Sequence, residues 1–162
     1  MQRTAAILIA GCISASVFAQ EPRNVPLAPL ERINPGGLFS YPPLAHVVIV
    51  PPGRRLAFIA GQTALGRDWQ IVGGNSVRAQ ALAAFANLRI ALQAAGAEPA
   101  DVVSSNVLIV GLNQARADEF ASAMRVACDG QPFPPHAFNL IGVTSLGSSE
   151  ALIEISAVAA LP

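Results

Sequence analysis

Glu154 stands inside Leu152-Ile153-Glu154-Ile155-Ser156-Ala157-Val158-Ala159, a run otherwise made of small and apolar residues. Such a run reads as a strand, and an unpaired charge buried within one is costly. The carboxylate is therefore expected at a sheet rim, at a subunit boundary or beside a partner. It would there take a proton or orient a water, or serve only as a hydrogen-bonded interface group. Other chemistries find little support. His46 and His136 lie far apart, with no second ligand at helix or knuckle spacing, so no metal site is expected. Gly73-Gly74 opens a helix and not a phosphate loop, and no Gly-x-Ser-x-Gly elbow occurs. Asp118 and Glu119 are adjacent helix positions that point in different directions, which makes them a solvated face. Cys128 has no neighbouring histidine or lysine to activate it and reads as a buried structural thiol.

The elements that must position Glu154 follow from periodicity. From Asn75 to Gly96, Val77, Ala81, Ala84, Phe85, Leu88, Leu92 and Ala95 recur at three- and four-residue steps, one stripe of an amphipathic helix. Asn75 or Ser76 caps its start and Gly96 ends it. Gln114 to Cys128 predicts a second helix with Ala117, Phe120, Ala121, Met124 and Ala127 inward. Ala45–Val50 and Leu56–Gly61 predict a hairpin about a Pro51-Pro52-Gly53 turn, with Arg54 and Arg55 at its solvated tip. Trp69 and Val72 are expected to pack. Further strands are expected at Val102–Val110, Phe138–Val143 and Leu152–Ala159, the last two joined by Gly147-Ser148-Ser149. The order is ββαβαββ, an α+β domain.

Two helices cover one face of a four-stranded sheet, yet Val102–Val110 is apolar on both: Val103, Val107 and Ile109 on one, Val102, Leu108 and Val110 on the other. The second face calls for a further copy of the chain, so a homo-oligomer is expected. With 162 residues, 52% hydrophobic and 12% charged, one compact domain fits, plus an N-terminal extension. All ten positive charges are arginine, balanced by ten carboxylates and scattered apart from Arg54-Arg55, which argues against a nucleic-acid partner. Residues 1–19 read as a secretory signal peptide: Arg3, an apolar run, then Ser16-Val17-Phe18-Ala19. Cleavage after Ala19 is favoured over lipidation at Cys12, the alternative offered by Ile9-Ala10-Gly11-Cys12. A periplasmic or secreted protein is the expectation, with no membrane contact beyond export. Residues 20–37, rich in Pro, Asn and Arg, read as an arm or linker, and 38–162 as the folded domain.

Several motifs, in order, resemble the RidA/YjgF family of reactive-intermediate deaminases. They are Ile59-Ala60-Gly61-Gln62, Gln80 with Asn87-Leu88, Ala95-Gly96 followed by Asp101-Val102-Val103, Ile141-Gly142-Val143, and the closing Ile153-Glu154-Ile155-x-Ala157-Val158-Ala159. The resemblance runs from about Leu38 to Leu161. It implies a chorismate-mutase-like fold and a homotrimer whose sheets meet in a central barrel, with ligand clefts between subunits. Family members hydrolyse 2-imino acids to 2-keto acids and ammonia without a cofactor. They use an arginine that grips the substrate carboxylate, a serine before Gly-Gln, a tyrosine before the first strand and a strand glutamate.

Carried over by motif, the glutamate is Glu154, while the serine position holds Ala60, the tyrosine position Leu44 and the arginine position Phe138. The resemblance thus predicts a cleft lined by Leu44, Ala60, Gly61, Phe138 and Leu140, with His136 brought close by a shift of its segment, and Glu154 as its one catalytic candidate. A phenyl ring cannot hold a carboxylate. The expected protein is an exported trimer that binds a small, less polar molecule or a partner, its imine-hydrolysing site lost or altered. The alternative is an active imine deaminase relying on Glu154. A guanidinium or imidazole beside Phe138, aimed into the cleft, would favour that alternative.

Overall fold

The computed structural model describes residues 27–162, so the expected signal peptide and Cys12 lie outside the described residues. In chain order the elements are β1 (Glu31–Ile33), β2 (Val47–Ile49), β3 (Leu56–Gln62), α1 (Val77–Ala94), β4 (Val102–Val110), α2 (Gln114–Met124), β5 (Ala137–Val143) and β6 (Ile153–Ala160). A four-stranded sheet of order β3-β6-β4-β5 carries both helices on one face, and β1 and β2 form a separate two-stranded ribbon. This is the α+β architecture expected. The core lies between sheet and helices: Phe85, Leu88 and Leu92 of α1 and Phe120 and Met124 of α2 pack with Val107, Ile109, Ile153 and Ile155 of the sheet.

α1 forms as its sequence dictates. The Ser76 hydroxyl accepts from the Ala79 amide, the inward stripe is buried, and Gly96 takes φ +75°, a left-handed conformation that suits glycine. The Glu119 carboxylate of α2 also accepts from the Arg78 amide in the first turn of α1, so it is not merely solvated. Two polar residues of α1 fasten the helix to its surroundings. The carboxamide of Gln80, fully buried, donates to Gly74 O and Glu150 O and accepts from Leu152 N, and Asn87 donates to Thr63 O and Leu65 O. These bonds fix the chain entering β6 and leaving β3.

Several expectations are corrected. The 45–50/56–61 hairpin does not form: β2 pairs antiparallel with β1, inside the segment expected to be a linker, and β3 pairs with β6. Pro51 and Pro52 offer no amide hydrogen to a ladder, so the two segments part at the turn. Arg54 is not at a solvated tip. Its guanidinium donates to Ala160 O and Ala28 O and lies 3.5 Å from Asp101. α2 stops at Met124, whose carbonyl accepts from Phe133 N, before a turn with φ +54° at Asp129 and +86° at Gly130. β5 and β6 are not neighbours, because β4 lies between them, parallel to β5 and antiparallel to β6. A register shift between Val102 and Ser104 puts Val102 in the core with Val107 and Ile109, leaving Leu108 and Val110 on the open face. Trp69 and Val72 do not pack; they are 81% and 50% exposed.

Candidate functional site

β6 presents Glu154, Ser156 and Val158 alternately to the open face of the sheet, and β3 brings Gly61 beneath the glutamate. A Cβ built at Gly61 would collide with the Glu154 side chain, so any larger residue there would push the carboxylate aside; the close approach, and not the backbone conformation, is what suits glycine. The pairing of β3 with β6 is irregular between Ile59 and Gln62, where Gln62 donates to Ala60 O. Glu154, Gly61 and Ala60 thus form one group, with the half-buried carboxylate lying against bare backbone and opposite Leu108.

The second group gathers at the far edge. Leu44 bridges to His136, with Ala45 N donating to His136 O at 3.0 Å. Leu44 and Phe138 line a cavity of about 290 Å³, together with Phe39, His46, Ser104 and Asn139. Leu140, on the same side of β5 as Phe138, packs against the core. The Phe138 ring meets Phe120 of α2 at 6.4 Å and the His136 ring at 5.5 Å.

An imidazole does lie beside Phe138, but it is only 2% exposed and both of its nitrogens are engaged. Nδ1 is 2.9 Å from Pro134 O, and since a carbonyl only accepts, Nδ1 carries the hydrogen. Nε2 then accepts from the Ser105 hydroxyl at 2.8 Å. Burial pushes the His136 pKa below its ordinary value, and this outweighs the bond to Pro134 that favours the charged form. The ring is neutral at neutral pH and supplies no cation to the cavity.

The two groups do not meet within one chain. Glu154 pairs with Leu108 and Leu108 with Ile141, so Glu154 and Ile141 share the open face; Phe138, three residues from Ile141, points to the helix side. Two strand spacings and a three-residue offset each separate them by roughly 10 Å.

Sequence reasoning missed His46 and Asn139 as cavity residues. His46 Nε2 lies 2.8 Å from Phe39 O, and the amide of Asn139 donates to Asn106 Oδ1. The available signal is alternation from Leu44, which puts His46 on the same side of the chain. Among the described residues no group of three His, Cys, Asp or Glu side chains is placed to hold a metal. Cys128 is half-buried, and burial raises its thiol pKa, as suits an unreactive cysteine.

Residues 42–161 match the family model described as endoribonuclease L-PSP. Among solved structures, a Rid-family protein of unknown function from Yersinia pestis, YyfB, is 34% identical, with a TM-score of 0.74 over 83% of this chain and all of that one. Rv2704 from Mycobacterium tuberculosis, of the YjgF/YER057c/UK114 family, is 24% identical with a TM-score of 0.51, covering 82% of this chain and 99% of the other. Yeast Mmf1 is 20% identical, with a TM-score of 0.56 and the same coverage. These last two likenesses bear on the fold alone. No curated protein gave a match.

Proposed function

This chain belongs to the Rid/YjgF family, and from that premise we propose that it is an exported homotrimer that binds a small, relatively apolar molecule at clefts between its subunits and no longer hydrolyses 2-imino acids. The observation that carries this reading is Phe138. At the position where the resemblance places a carboxylate-gripping arginine, a phenyl ring packs against Phe120 and a neutral, internally bonded His136. Removing one partner of a buried charge pair costs about 2 to 5 kcal/mol, and Ala60 and Leu44 withhold the serine and tyrosine hydroxyls as well. A second copy of the chain is what would bring the Glu154 group of one protomer to the Phe138 cavity of another. The signal-like residues 1–19 support export, away from the cytoplasmic source of such imines.

A second reading, an active deaminase, draws on one observation: Glu154 lies against Gly61 as a site that keeps its general base would require. Ribonuclease activity, which the family model's name suggests, has less support. The chain is neutral overall, and Arg32, Arg54, Arg89 and Arg116 are bonded to backbone carbonyls or carboxylates. Freshly generated 2-iminobutanoate, with ammonia release coupled to an indicator enzyme, tests the proposal. Release at the uncatalysed rate is expected; faster release that Glu154→Gln abolishes would overturn it.

A further inference from the structure

We propose that a second cavity, of about 490 Å³ and sharing no lining residue with the Phe138 cavity, binds a small aromatic carboxylate. It opens where the chain before β2 runs beside the chain before β5, and its volume falls within the range of small-ligand pockets. Its backbone is tied down: His136 N donates to Pro43 O, and Phe133 N to Met124 O at 2.8 Å. Pro42, Pro43, Pro132 and Pro135 form most of the wall. Proline has no amide hydrogen and a fixed φ, so this wall offers rigid apolar rings with little to lose on binding.

Tyr41 adds aromatic surface, with the buried Phe133 ring behind the wall, which favours a flat guest. The one charged lining group is Arg125, the residue that closes α2. Its guanidinium forms no ion pair with any described residue, unlike those of Arg54 and Arg89. A planar fork of donors at the mouth of an apolar slot is complementary to a carboxylate carried on a ring. A neutral aromatic leaves the guanidinium unused, and a ringless anion leaves the wall unfilled.

Benzoate, benzyl alcohol and acetate are the probes, followed by amide and guanidinium nuclear magnetic resonance of the whole mature protein. Benzoate is expected to give saturable shifts at Tyr41, Phe133 and the Arg125 Nε–H, with benzyl alcohol and acetate about tenfold weaker or worse. Arg125→Gln should weaken benzoate about tenfold, and Arg125→Lys by less. Shifts confined to Leu44 and Phe138, equal affinity for benzyl alcohol, or an Arg125→Gln protein that loses thermal stability but not benzoate binding would each overturn the proposal. None of these outcomes depends on the imine assay.

Discussion

A methyl group at position 61 would meet the Glu154 side chain. Gly61 is not in a left-handed conformation, so its substitution tests contact with Glu154 and little else. Gly61→Ala is expected to displace the Glu154 carboxylate and to destabilise the chain by no more than about 1 kcal/mol in urea unfolding. Adding Glu154→Ala should recover most of that loss, and a purely additive double mutant would show that the two residues do not touch. Glu154 was legible in the sequence because a lone carboxylate in an apolar strand calls for an explanation. The meaning of Phe138 was legible only through the resemblance, since one phenylalanine among seven carries no periodic signal of its own. The direction of His136 was not legible at all. It depends on Ser105, thirty-one residues away in the chain, and on a carbonyl two residues back.

Elements were readable where their signals are local. α1 carries its own cap, stripe and terminating glycine, and all three operate. Strand partners were less readable, because pairing is settled by long-range packing. Leu56–Gly61 reads equally well as a partner for Val47–Ile49 or for β6, and only the second choice lets β3 join the sheet that the helices cover. The family-like residues Gln80 and Asn87 carry no chemistry of their own. They hold the loops on either side of Glu154 and Gly61, which is how α1 governs a site it does not line.

At the scale of the molecule, the open sheet face is the feature least suited to an isolated chain. Phe58 is 79% exposed, Leu56 and Ile141 also face outward, and Leu108, Val110 and Val158 lie half-buried beside them. Placing copies of this face together removes that surface from water and is the proposed route to a complete cleft. Phe58→Glu is accordingly expected to lower the mass seen by sedimentation velocity from trimer toward monomer; wild-type protein sedimenting as a monomer would contradict the assembly. Titration with 2-oxobutanoate, the keto acid product of family chemistry, should leave the resonances of Leu44, Phe138 and Asn139 unchanged at concentrations up to about 1 mM. Saturable shifts at those residues below that concentration would mean that the cleft holds carboxylates without its arginine.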